Sequence, residues 1–162
     1  MSRAVLNFLA WQLDQSFEGK PEHSLLANLS SVTNDTVDQL PPAGGRTVRD
    51  LIIHCASVKR MHVDHAFGDQ ALTWWTTWDG EGKLEDADLE ALTEWLRRAH
   101  REAQDAVAAL ATDEELFAQR STHWGESRET RLLIDAILIH DIYHAGEINH
   151  LRGLLQRKDA SR

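Results

Sequence analysis

Residues 140–155 read HDIYHAGEINHLRGLL and place two histidines, His140 and His144, four positions apart. In an α-helix of about 3.6 residues per turn, this spacing puts both imidazoles on one face, about 40° apart around the axis. Apolar residues recur on the same face before and after the pair, as at Ile137. The sequence therefore predicts a helix over about residues 128–156 whose buried face carries both histidines.

Outward from this segment, the rest of the chain shows helical periodicity and no clean period-2 alternation of a half-buried strand. The first helix is interrupted by EGKPE and resumes near Glu22. The second begins at Thr47, where Thr and Asp three positions apart resemble a capping box. We therefore predict an all-α four-helix bundle with a long crossover between helices 2 and 3. The three other predicted helical segments cover about residues 3–39, 47–67 and 86–116.

Length and composition limit the class of protein. A chain of 162 residues fits one domain, which we assign to residues 1–157, with a polar C-terminal tail at 158–162. Cys55 is the only cysteine, so no intramolecular disulfide can form, and the first residues do not resemble a secretory signal. We therefore expect a cytoplasmic protein. A formal net charge of -9 argues against nucleic acid or anionic membranes as partners.

Two neutral imidazoles in a core each need a hydrogen-bond donor and acceptor, so an adjacent pair is costly unless something compensates. A divalent metal would do so, because transition metals bind imidazole nitrogen readily. A third ligand must come from another helix, and we select His54, with His65 in reserve, because both lie on one face of the second helix. His62 is turned away, His150 is expected at the surface, and no pattern favours His23, His100 or His123.

The spacing also permits a simpler interpretation, since a chain with nine histidines can contain the HxxxH pattern by chance. The pair would then be core histidines satisfied by ordinary hydrogen bonds. Gly146 lies two residues after the pair, and glycine in a helix interior costs about 1 kcal/mol relative to alanine. Its presence favours close approach of another helix or a ligand.

These features resemble the DinB-like, or YfiT-like, family of small bacterial four-helix-bundle metalloproteins. The resemblance rests on HDIYHAGEINHLRGLL, on TVRDLIIHCASVKRMHVDHAFGD at residues 47–69 and on the long crossover. It implies that one histidine of the second helix and two of the last bind a divalent metal, usually zinc or nickel. Here these are His54, His140 and His144.

The chain departs from the family at Glu147, where many members carry glutamine. This leaves open whether Glu147 is a further ligand, a partner of a ligand or a proton acceptor. Asp141 is the other candidate for orienting a bound histidine or accepting a proton. For either carboxylate, a salt bridge with Arg152 or Arg49 is the alternative.

Characterised relatives include thiol S-transferases and a mycothiol-dependent maleylpyruvate isomerase. The resemblance thus implies a metal-dependent thiol S-transferase or related hydrolase acting on a small electrophile. A low-molecular-weight thiol such as mycothiol or bacillithiol would be its co-substrate. The alternative is a non-catalytic metal-binding or stress-related protein in which the metal is structural. In either case we expect a homodimer.

The aromatic stretch WWTTW supplies a candidate pocket wall. Trp74, Trp75 and Trp78 could line an apolar substrate pocket near the mouth of the bundle, or serve as lids on the core. Cys55 follows His54 directly but points about 100° away from it on a helix. We therefore interpret Cys55 as a packing residue.

Overall fold

Four α-helices form a bundle in the computed structural model, which describes residues 2–20, 23–41 and 44–160, with only the backbone for 156–160. The all-α prediction is confirmed, with a small antiparallel β-hairpin inserted before the last helix. No helix among the described residues has the length and apolar character needed to cross a membrane. The elements are α1 (Ala4–Glu18), α2 (Val48–Phe67), α3 (Leu89–Ala108), β1 (Gln119–Ser121), β2 (Ser127–Glu129) and α4 (Thr130–Ala160).

The start of α2 fixes the position of His54. Thr47 Oγ1 accepts a hydrogen bond from Asp50 N at 3.1 Å, and Asp50 Oδ2 accepts one from Thr47 N at 2.8 Å. This reciprocal pair satisfies two amide groups that have no partner within the helix. The predicted capping box at the start of α2 is confirmed. His54 lies about two turns after this start.

The predicted helical stretch near residues 22–39 is wrong. Glu22 lies outside the described residues, and the part that follows has only a 3₁₀ turn at Ala27–Leu29. Side chains here bond to nearby backbone groups, as when Thr33 N donates to Thr36 Oγ1 at 2.9 Å. Such local bonds compete with helix formation.

Two other predicted boundaries also moved. The third helix ends at Ala108, and a separate 3₁₀ turn follows at Asp113–Phe117. The last helix begins at Thr130 because β2 occupies the preceding residues, and it continues to Ala160. The division into a domain and a tail at residue 157 stays a prediction, and residues 161–162 lie outside the described residues.

A buried polar network joins α2, α3 and α4, and an aromatic ring of α1 packs against it. Lys59 of α2 donates to Asp141 of α4 at 2.7 Å and contacts Nδ1 of His100 in α3 at 3.2 Å. Phe17 of α1 stacks on the His100 ring, with 3.9 Å between centroids, and lies beneath the Lys59 ammonium group. Removing a charge from water costs free energy. The buried charges of Lys59 and Asp141 are therefore stabilised mainly by each other.

Candidate metal centre

Three histidines converge where α2 packs against α4. His54 comes from α2, and His140 and His144 are one turn apart on α4. One ring nitrogen from each lies within 4.8 Å of the others. Nε2 of His54 and Nε2 of His140 are 3.0 Å apart. We call these residues the histidine triad, and with three nitrogen donors this close together it could hold a metal ion.

Burial keeps the triad neutral at physiological pH. The pKa of His140 is lowered to about 3, first by burial and then by the neighbouring imidazoles. Burial likewise lowers the pKa of His54 and of His144, although Glu147 opposes the shift at His144. Because only the unprotonated ring nitrogen binds metal, protons compete weakly for this site near pH 7.

Glu147 fixes the orientation of His144. Nδ1 of His144 donates to the Glu147 carboxylate at 2.8 Å, since an ionised carboxylate can only accept. The proton is then on Nδ1, which leaves Nε2 of His144 with a free lone pair. Arg46 holds the carboxylate in turn, because its Nη2 lies 3.1 Å from both Glu147 oxygens. The structure thus places Glu147 beside a triad histidine as its hydrogen-bond partner.

Arg46 was missed by sequence reasoning. It follows Gly44 and Gly45, which have φ of 76° and 116° and turn the chain ahead of α2. Its partner lies 101 residues away, so no local pattern links the two. A glycine pair directly before an arginine was the only available signal.

Replacing Glu147 with leucine should weaken zinc binding about 10- to 100-fold, the usual cost of losing a carboxylate that orients a histidine ligand. Glu147→Gln is the matched variant, because its amide oxygen can still accept from His144 Nδ1. We expect this variant to bind zinc within about threefold of wild type. Titration with a competing chelator measures both constants. Equal zinc affinities in wild type and Glu147→Leu would show that Glu147 does not orient His144 for metal binding.

Asp141 does not occupy the place expected of it. Its carboxylate is fully buried and accepts from Lys59 Nζ, so its hydrogen bond goes to an ammonium group rather than to a triad histidine. Arg49 and Arg152, the predicted salt-bridge partners, bond to other residues. The reason is helical phase: one residue after His140, Asp141 faces the centre of the bundle, where Lys59 meets it.

His65, the reserve ligand, lies outside the triad. Its Nε2 bonds to the Leu72 carbonyl at 3.0 Å. It belongs to a second ring cluster in which His62 and His123 have centroids 4.7 Å apart and Trp124 packs against both. The histidine of α2 that converges with His140 and His144 is therefore His54, the first choice, and not His65.

The three tryptophans of WWTTW separate in the structure. The Trp74 ring lies 5.8 Å from the His54 ring, which places it beside the triad. Trp75 is 88% exposed, and Trp78 packs edge-on against Trp95 at 5.0 Å. Of the three, Trp74 is the one whose ring lies beside a triad ring. A pocket wall formed by these tryptophans stays a prediction.

Cys55 and His150 lie as expected. Cys55 is fully buried in the core, and burial raises the pKa of its thiol far above the ordinary range. A thiol that stays protonated is a poor nucleophile, which confirms Cys55 as a packing residue. His150 is exposed on α4, away from the buried stripe.

Comparison with known proteins identifies a family. The model of the DinB superfamily matches residues 21–148. This region covers well over half of the chain and includes all three triad histidines. No curated protein matches the chain.

Proposed function

The chain belongs to the DinB superfamily, and on that premise we propose that it is a divalent-metal-dependent enzyme acting on a small electrophile. The reaction we favour is thiol S-transfer, with hydrolysis as the related possibility. The observation that carries the proposal is the triad itself. Among the described residues, no fourth histidine, cysteine or carboxylate joins its three donors.

The donor set fits zinc or nickel. Three imidazole nitrogens suit either ion, and the lowered pKa values keep the ligands in the unprotonated form. His54, His140 and His144 would hold the ion. When bound, it would supply Lewis acidity that lowers the pKa of a thiol or water.

The surrounding residues support this chemistry. Glu147 holds the tautomer of His144, and Arg46 holds Glu147 in place. Trp74 lies beside His54 and is 37% exposed, so it offers an apolar edge to an entering substrate. A low-molecular-weight thiol such as mycothiol or bacillithiol is the proposed co-substrate.

The competing function is a non-catalytic protein with a structural metal. Structural zinc sites are closed by four protein ligands, whereas catalytic sites have three and an open position. Of the candidate fourth ligands, Glu147 bonds to Nδ1 of His144 and His65 lies in another cluster. This favours an open site and therefore an enzyme.

A turnover assay tests the proposal. Zinc- or nickel-loaded protein would be incubated with mycothiol or bacillithiol and a panel of electrophiles, and thiol consumption followed. We expect metal-dependent turnover that is lost in His54→Ala and kept in the surface control His150→Ala. A loaded protein with no turnover on any pair would favour the structural function, and equal turnover in both variants would contradict a reaction that depends on the triad.

We also propose that the chain forms a homodimer through the outer faces of α1 and α4. Phe8 and Trp11 of α1 are 53% and 56% exposed, and Ile139 and Tyr143 of α4 are 55% and 65% exposed. Large exposed apolar side chains on two helices that pack together favour association. Light scattering should give twice the chain mass of 18.4 kDa, and Trp11→Glu should reduce it to one chain. A monomeric wild type would contradict this.

A further inference from the structure

A cavity of about 610 Å³ lies between the last turns of α2 and α3, under the chain that follows Phe67. We call it the α2–α3 cavity, and no triad histidine lines it. We propose that it binds a small molecule that has an apolar body and a single carboxylate. Its volume is within the range of known small-molecule sites, about 300–1,000 Å³.

The floor and walls of the cavity are apolar. Leu110 is buried at its base, and Val63, Phe67 and Leu72 line it with half-buried side chains. Ala106 of α3 lines the opposite side and leaves room because its side chain is small. An aliphatic chain or a ring of comparable size would be removed from water here, which is the main source of affinity in such sites.

One cation at the cavity lacks a carboxylate partner. Arg120 stacks over the Phe67 ring at 5.1 Å, and its Nε donates to Thr130 Oγ1 at 3.2 Å. Within the described part of the chain, it forms no ion pair. The terminal nitrogens of this guanidinium are therefore available in a fixed position, and a planar fork of donors matches a carboxylate.

The other arginine at the cavity is already neutralised. Arg60 bonds to Glu102 at 3.0 Å and to Asp79 at 2.9 Å. The available positive charge is thus that of Arg120 alone. Asp64 and Asp105 also line the cavity, and because Arg120 can neutralise only one carboxylate, they would repel any further negative charge on a ligand. These charges favour a monocarboxylate over a dianion.

The edge of the cavity is held open. Asp64 accepts from Leu72 N at 2.8 Å, and His65 Nε2 donates to the Leu72 carbonyl at 3.0 Å. Two consecutive residues of α2 thereby bind both backbone groups of Leu72 and hold its side chain at the wall. Because this part of the site is already ordered, binding a ligand does not cost the free energy of ordering it.

Octanoate is a suitable probe because it combines an eight-carbon body with one carboxylate. Titrated into ¹⁵N-labelled protein at pH 7, it should shift the amide signals of cavity residues saturably, with a Kd below about 1 mM. Octanamide, which lacks the charge, should bind about tenfold more weakly. No saturable shift, equal binding of octanamide, stronger binding of octylammonium, or shifts confined to the triad would each overturn the proposal.

Two variants test separately what the charge of Arg120 and the space in the cavity contribute to binding. Arg120→Gln should weaken octanoate binding about tenfold. Arg101→Gln is the matched control, because Arg101 is exposed, pairs with Glu94 and does not line the cavity. Ala106→Leu should block octanoate and octanamide alike by filling the space. Thermal unfolding would verify that each variant folds, and wild-type affinity in folded Arg120→Gln or in folded Ala106→Leu would refute the assignment.

Discussion

Lys59→Met should lower the free energy of unfolding by about 3–5 kcal/mol, the usual cost of removing one partner of a buried ion pair. Lys59 and Asp141 have side-chain exposures of 1% and 0%. Without the ammonium group, the Asp141 carboxylate would be a buried charge with no cation beside it. Since a domain of this size has about 5–15 kcal/mol of stability in total, the variant should lose a large fraction of it. Denaturant unfolding at pH 7 measures the change.

The double variant Lys59→Met/Asp141→Leu is the decisive control. It replaces both charges by apolar groups of similar volume, which is often neutral or stabilising in buried pairs. We therefore expect it to recover most of the loss. Arg101→Gln breaks the exposed pair with Glu94 and should cost less than about 1 kcal/mol. A single Lys59→Met variant as stable as Arg101→Gln would show that the pair contributes little.

Lowering the pH from 6.5 to 5 should destabilise the metal-free protein by about 3 kcal/mol through His62 and His100, and the triad histidines should add to this loss. Burial lowers the pKa of His62 to about 4, with help from His123 and His65, and that of His100 to about 2, with help from Lys59. In the unfolded chain both return to about 6.5. Below that pH the unfolded state binds the two protons and the folded state does not. Once the pH is well below 6.5, each histidine therefore removes about 1.4 kcal/mol per pH unit.

His100→Gln tests this origin by removing one of these titrating groups. Its stability should fall less steeply below pH 6.5, by about 1.4 kcal/mol per pH unit relative to wild type. His150→Gln should keep the wild-type slope, because His150 is exposed. Urea titrations in EDTA at several pH values give the slopes. Stability that stays level between pH 7 and 5 would mean that these histidines become protonated in the folded protein.

The helices and the triad are the features that the sequence predicts best, because both depend on local periodicity. His140 and His144 are four residues apart on one apolar stripe, so helical phase alone puts them together. His54 was selected by the same argument on the second helix. The structure brings these three together. Their ligation of a metal stays a prediction.

The polar core could not be predicted, because its members meet only in the tertiary structure. Lys59 reads as an ordinary charged position on a helix, and its partner Asp141 is 82 residues away. For His65, in contrast, the local pattern suggested a ligand that the tertiary structure places elsewhere. It shares the helical face of His54, but the chain after Phe67 folds back and captures it through the Leu72 carbonyl.

In residues 23–39, local hydrogen bonds prevent the helix that the periodic apolar pattern predicts. The apolar spacing is helical, and Leu25 and Leu29 are buried as a helix would require. Hydroxyl and amide side chains nevertheless bond to backbone only a few residues away, as in Asn28 Nδ2 to Ser24 O at 2.9 Å. Turns then bury the same residues without a helix.

The metal content of protein purified without an affinity tag or added metal tests the central claim most directly. If the triad is a metal site, elemental analysis should find zinc or nickel near one ion per chain. His144→Ala should lose this ion, and His150→Ala should retain it because its imidazole is exposed on the same helix. Folded wild-type protein without bound metal, or equal metal content in the two variants, would contradict the account.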